Sequence, residues 1–405
     1  MNAAQGEPEA LRKARLLAPG PVEVPPDVLE AVGRPPLHHR SPAFAELLGR
    51  TREGLAALAD VPGDDVLVVT GSGTAGFEAA FLAAVPHGAP VVSAHAGKFG
   101  ARWAELARRY GHPVTETTAP WGACLDPEAV ARAVRDTPGV RAVTMAHSET
   151  STGVLHDVRE IARAVREVAP EVLVIVDAVT SLGVTELRPR AWDLDVVVSG
   201  SQKGVMLPPG LSFAWLSERA WSTEGPKTPS FSLDLRSERE RQRNGTTGTT
   251  PAVSLIAGLD VALSRLRAVA PETLWATRAR RNAAVLAAGL AVGARPFAER
   301  PSPAVAALEV PAGLDARDVV AAFARRGVRI GGGQDHIASR VIRPSVLGWA
   351  DDFDVLGLAG TLEAVLREGG ADAPYGAGPA AAARVLDQAD GWRDRRGRQG
   401  RASAT

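Results

Sequence analysis

Four lysines (Lys13, Lys98, Lys203 and Lys227) stand among the 46 lysines and arginines of this 405-residue chain. Guanidinium stays protonated in proteins, whereas a desolvated lysine amine sheds its proton and can attack a carbonyl. A sequence that uses arginine almost everywhere therefore directs attention to any lysine at a reactive position. Lys203 holds one. It follows Val196-Val-Val-Ser-Gly-Ser-Gln202, where β-branched residues that read as a buried strand break into hydroxyls, an amide and flexible backbone. The bland alternative is a solvated loop lysine. The residue types around the amine favour a Schiff-base site.

Other stretches offer partners for such a site. Gly71-Ser-Gly-Thr-Ala-Gly76 matches G-x-G-x-x-G between a predicted strand and helix, where small residues let backbone N–H groups approach a phosphate. A dinucleotide site carries an acid about twenty residues further on. The next strand ends Val91-Val-Ser-Ala-His95 without one, so the motif reads as a phosphate turn, with a ligand-free turn as the alternative. Asp177 closes the apolar run Leu173-Val-Ile-Val176 and needs a partner where water is scarce. A protonated ring nitrogen is one candidate, a hydroxyl or an arginine the other. Phe99 can stack on a flat ring or anchor the core. Thr150 offers a hydroxyl beside Glu149, or both cap loop backbone. Arg343, before Pro344, has the fork of donors that suits a carboxylate, although most arginines are solvated surface. His38 and His39 with a distant aspartate lack metal-site spacing, and no metal is expected.

These residues need a frame. From Asp65 onward strands alternate with helices: strands over 66–69, 90–94, 140–145, 173–176, 196–199 and 211–216, and helices over 77–85, 99–110, 127–135 and 158–168. Such alternation predicts an α/β fold, a mainly parallel sheet with helices on both faces, whose ligands bind outside the carboxyl ends of the strands. The polar clusters after Val69, Met145, Val176 and Val198 would all gather there. The chain divides into a flexible start (1–15), a large domain (16–265) that includes an extended Pro/Gly-rich segment near its beginning, a smaller α+β domain (266–368), and an Ala-, Gly- and Arg-rich tail (369–405) that reads as disordered. The polar stretch 218–250 receives no regular element.

Acidic and basic residues balance at 46 each, so nothing argues for nucleic acid as a partner. The one cysteine, Cys124, excludes an intramolecular disulfide and fits a reducing compartment. No apolar run has the length of a membrane span, and the polar N-terminus does not read as secretory. The expectation is a soluble cytoplasmic protein.

Leu17-Ala-Pro-Gly-Pro-Val22, His38-His-Arg-Ser-Pro42, Gly71–Gly76, His147-Ser-Glu-Thr-Ser-Thr-Gly153, Val176-Asp-Ala-Val-Thr-Ser181 and Ser199-Gly-Ser-Gln-Lys203 occur in one order. In that order the chain resembles, over about 15–365, the class V aminotransferases, fold-type I enzymes of pyridoxal 5'-phosphate. The nearest branch is that of alanine–glyoxylate and serine–pyruvate aminotransferases. The resemblance implies a seven-stranded-type sheet and a Schiff base between Lys203 and the cofactor. It further implies that Asp177 holds the ring nitrogen, Phe99 stacks on the ring and Thr150 meets its phenolic oxygen. Ser72, Gly73, Thr74 and Gln202 would contact the phosphate, together with Thr249 from a second subunit, which implies a homodimer with shared sites. Arg343 would clamp the substrate α-carboxylate, with the Gly20 backbone beside it. The implied reaction moves an amino group from a small L-amino acid of alanine or serine type to a 2-oxo acid of glyoxylate or pyruvate type, by a ping-pong route. Pro344, which follows the clamp arginine, departs from the family pattern and leaves room for an unusual substrate. The alternative with the same cofactor is a lyase, racemase or aldol-type enzyme; a desulfurase would need a cysteine in the second half. A nicotinamide oxidoreductase is opposed by the missing acid, and a non-catalytic binding protein by the pairing of Lys203 with Asp177.

Overall fold

A computed structural model describes residues 13–387. Seven strands build the central sheet: β1 (Val66–Thr70), β2 (Val91–His95), β3 (Val114–Thr118), β4 (Ala142–Ala146), β5 (Leu173–Asp177), β6 (Val196–Gly200) and β7 (Leu211–Leu216). They lie in the order β1-β7-β6-β5-β4-β2-β3. The pairs from β3 across to β6 are parallel, and β7 runs antiparallel to both its neighbours. Six strands therefore point the same way and end on one edge.

The apolar strands read as continuous runs because alternate side chains enter two different cores. Val174 and Val176 belong to one, with the helices Pro42–Ala59, Val158–Val168 and Val253–Arg267. Leu173 and Ile175 belong to the other, with α1 (Gly73–Ala84) and α2 (Lys98–Arg109). Trp103 of α2 is fully buried between Phe77 and Phe81 of α1, which locks these two helices together. Among the described residues no helix is long and apolar enough to cross a membrane.

A second, smaller core surrounds an antiparallel sheet of Arg295–Pro296, Leu308–Glu309, Val341–Arg343 and Gly331–Gly332, in that order. The helices Pro271–Ala291, Ala316–Arg325 and Asp352–Glu368 cover it. Several elements of the chain differ from the sequence reading. Arg15–Leu16 pairs in parallel with Val328–Arg329 and Leu17 is buried in the smaller core, so the extended segment starts in the small unit and only then crosses to the large one. The tail expected to be disordered from 369 holds a helix, Ala377–Asp387, packed through Ala382 and Leu386; residues 388–405 and 1–12 lie outside the described residues. Alanine-rich sequence looks low in complexity, yet alanine is the best helix former and allows close approach. The polar stretch 218–250 contains helices Glu218–Ser222 and Leu235–Arg243, the second burying only Leu235 and Gln242 and so carrying no apolar period. For the same reason β3, a partly exposed threonine-rich edge strand, is invisible as an apolar run.

Candidate active site

The common edge of the sheet explains where the polar clusters go. In register, Asp177 at the end of β5 pairs with Ala146 of β4 and Val198 of β6. Thr150 lies four residues beyond Ala146, and Lys203 three residues beyond the end of β6. One cavity collects Ser72, Gly73 and Thr74 from the start of α1, Phe99 from α2, Thr150 and Asp177 from the strand ends, and Gln202 with Lys203. Eight of the expected site residues thus share one space.

Burial sets the charges of the two central groups. Asp177 is only 8% exposed, and loss of water raises its carboxyl to about 6. Glu149 nearby adds to that rise, while the Val179 N–H, donated to Asp177 Oδ1 at 2.9 Å, and the Lys203 amine oppose it. The Lys203 amine is brought down to about 8, first by burial and then by the Arg343 charge, with Asp177 opposing. Its nitrogen donates to the Pro19 carbonyl. The next residue, Gly20, has φ +121°, and a Cβ there would sit 2.5 Å from Lys203 Nζ. Only glycine allows the extended segment to run this close to the amine.

The phosphate turn has a physical reason for each small residue. Ser72 Oγ accepts from Ala75 N and caps α1, whose first N–H groups have no intrahelical partner. A Cβ on Gly73 would lie 2.9 Å from Val179, and one on Gly76 would lie 2.6 Å from Ser212 of β7. Gln202 Oε1 is buried and has no partner. The cavity is thus lined by a helix N-terminus, which offers donors, and by the Gln202 carboxamide, whose unpartnered oxygen is an acceptor.

Arg343 ends its strand, immediately before Pro344. It donates from Nε to Gly332 O at 2.7 Å and from one Nη to Thr150 O at 2.8 Å. Burial brings its guanidinium down to about 10, still cationic at neutral pH. Thr249 is not brought to the cavity of its own chain; it lies exposed on a separate surface hollow with Thr247 and Phe231. Phe99 has its ring in the cavity and the Arg102 guanidinium 4.8 Å from its centre.

Two contributors, Thr180 and Arg102, escaped the sequence reading, and Glu149 entered it with capping as one of two readings and no partner named. Glu149 is fully buried and accepts from the N–H groups of Phe99, Gly100 and Ser151 and from the Ser151 hydroxyl, so it caps α2 from across the sheet. Of the two sequence readings for that stretch, this is backbone capping. Thr180 shares a hydrogen bond of 2.9 Å with the Thr150 hydroxyl. Arg102 lines the cavity one turn after Phe99, a position that helical spacing could have flagged.

The family model of class V aminotransferases matches residues 27–347. The chain belongs to the class V aminotransferases. Among its relatives, the aspartate aminotransferase of subgroup IV from Thermus thermophilus is 40% identical, with a TM-score of 0.82 over 87% of this chain and 99% of that one. The L-aspartate–glyoxylate aminotransferase of Paracoccus denitrificans is 33% identical over 91% of this chain and 94% of its own. A protein of Synechococcus sp. named soluble hydrogenase, small subunit, is 39% identical over 93% and 99% of the two chains. That name describes other chemistry, and the single cysteine here could not supply the four thiolates of an iron–sulfur cluster. Class V aminotransferases depend on pyridoxal 5'-phosphate, and this aminotransferase has the cavity for it. The N–H groups at the start of α1 suit a phosphate, and the same cavity holds a buried acid, Asp177, and a buried amine, Lys203.

Proposed function

We propose that this aminotransferase transfers the amino group of a small L-amino acid, of alanine or serine type, to a 2-oxo acid of glyoxylate or pyruvate type in ping-pong fashion. The observation that carries the reading is the meeting of a lowered Lys203 amine and a raised, buried Asp177 in one cavity. Bound pyridoxal 5'-phosphate supplies an electron sink that makes an amino-acid α-proton acidic.

The residues divide that work. Lys203 is the nucleophile that carries the cofactor and, once displaced, the base that takes the α-proton; an amine near pH 8 has a usable unprotonated fraction at neutral pH. Asp177 holds a proton on the ring nitrogen. Phe99 stacks on the ring and Thr150 donates to its phenolic oxygen, with Thr180 fixing that hydroxyl. Ser72, Gly73, Thr74 and Gln202 hold the phosphate. Thr249 reaches the phosphate of the partner subunit, so the working unit is a homodimer. Arg343 binds the α-carboxylate with the Nη that neither Gly332 nor Thr150 engages, and Gly20 lets the backbone close over it. The balanced charge and lone cysteine support a cytoplasmic setting.

Visible spectra of the purified protein test the reading. A yellow band should be present, bleach with L-alanine or L-serine, return with glyoxylate or pyruvate, and be missing in Lys203→Ala. A wild type that stays colourless after incubation with pyridoxal 5'-phosphate refutes it.

A further inference from the structure

Arg278 carries a charge into the protein interior that no carboxylate meets among the described residues. It stands on the helix Pro271–Ala291 of the smaller unit and is 4% exposed. Its charged neighbour is Arg281, another cation. Burial first and that repulsion second bring the Arg278 guanidinium down to about 10, still protonated at neutral pH. One Nη donates to Gly348 O at 3.0 Å, the other lies 3.7 Å from Met206 Sδ, a weak acceptor, and Nε has no partner. A buried charge answered by one carbonyl and one thioether is costly, and an apolar side chain of similar volume would pack as well or better. Packing therefore does not account for an arginine here.

Both of its acceptors belong to segments that hold Lys203. Met206 closes the turn after the lysine. Its N–H donates to Lys203 O at 3.1 Å, and its φ of +61° is a left-handed conformation that a non-glycine residue adopts at a cost. Gly348, five residues beyond Arg343, lies against the extended segment: a Cβ there would sit 2.5 Å from Val22 Cβ. Around it Ser345 N–H donates to Leu17 O and Trp349 N–H to Glu23 O. That extended segment supplies the Pro19 carbonyl to the Lys203 amine and brings the Gly20 backbone beside it. One guanidinium thus joins the turn that carries the lysine to the strands of chain that cover its amine.

We propose that Arg278 is a positioning residue for Lys203, fixing the lysine turn against the extended segment so that the amine stays buried beside the Pro19 carbonyl. This rests on Lys203 being the amine that carries the cofactor and adds the device that holds it. The charges that act on the amine are those of Arg343, Asp177 and Arg102, so Arg278 works through geometry rather than through its field.

The test uses cofactor-free protein mixed with pyridoxal 5'-phosphate, with the growth of the yellow band followed across pH. Arg278→Met removes the unanswered charge and keeps the volume, so its denaturant midpoint should equal or exceed that of wild type. Its capture of the cofactor should nevertheless slow about tenfold at neutral pH, the effect of a one-unit rise in the amine. The inflection of the rate should accordingly move from about 8 toward the ordinary 10.5 as the amine is uncovered. Arg278→Lys, which keeps a cation able to reach one acceptor, should restore part of the rate. Met206→Leu removes the sulfur acceptor alone in a swap that cores tolerate, and should move the inflection the same way by less. The proposal is overturned if Arg278→Met and Met206→Leu both keep the wild-type inflection; with a lowered midpoint as well, the arginine would be a structural residue only. A wild type that stays colourless refutes the reading of Lys203 itself, an outcome separate from either of these.

Discussion

Lys203 and Arg343 belong to different units of the fold, yet the Arg343 charge reaches the Lys203 amine. The low affinity of the Lys203 amine for protons comes from burial first and from Arg343 second. The sign of the pH effect follows: only the neutral amine attacks, so capture of pyridoxal 5'-phosphate by cofactor-free protein should accelerate as pH rises and level off above about 8. Arg343→Gln removes a positive neighbour without exposing the amine, so the inflection should move to higher pH. Rate-versus-pH profiles of the two proteins, followed by the yellow band, decide the point. Coincident inflections would mean that Arg343 has no electrical hold on the lysine, and an inflection at the ordinary 10.5 would mean that burial has none either.

At the scale of elements, α2 illustrates what a linear reading can and cannot find. The residue before it, Gly97, offers no capping side chain, and the cap arrives instead from Glu149, more than fifty positions away in the chain. That carboxylate holds the backbone of Phe99 and Gly100 in place, and with it the ring in the cavity. Glu149→Ala should leave these buried N–H groups unanswered and cost about 3 kcal/mol or more of stability, as charged buried hydrogen bonds do. Denaturant unfolding midpoints measure the loss, and a midpoint equal to wild type would show that water replaces the cap. The same contrast runs through the sheet. Strands β1, β2, β4, β5, β6 and β7 were legible because each carries apolar side chains into two cores. The edge strand β3 and the helix Leu235–Arg243 were not, because their stability comes from neighbours rather than from a period of their own.

For the whole molecule, the hairpin segment His147–His156 contributes a pH-dependent stability. Both imidazoles are buried, His147 against the Trp192 ring and His156 against the Leu125 N–H, with Arg300 and Asp157 the charged groups beside them. Burial, followed by repulsion between the two rings and from Arg300, lowers His147 to about 3; burial and Arg300 lower His156 to about 4. Unfolding returns both to the ordinary 6.5, so the unfolded chain takes up two protons that the native protein refuses. Stability should therefore be fully present above that value and fall as pH drops from there toward about 4. Asp177 acts in the opposite sense between 3.8 and about 6, one proton against two. Chemical unfolding of cofactor-free protein from neutral pH to about pH 5 should register the decline, and a flat profile would exclude it.

What the sequence by itself determined is what neighbours in the chain can encode. Alternating apolar runs specify strands and helices, small residues specify the tight turn before α1, and rarity singles out Lys203. Because parallel strands end on one edge, even the gathering of Ser72, Asp177 and Lys203 followed from order alone. Only the tertiary structure decided which charges face each other. Glu149 as the cap of α2, Pro19 as the acceptor for the lysine amine, Arg102 as a cation without an acceptor, and the extended segment beginning in the small core all depend on approach between distant segments. The same distinction explains the tail helix, whose alanines carry no pattern until a groove between two other helices exists to receive them. Local sequence sets which conformations are cheap; distances between charges and buried surfaces are settled only when the chain is folded.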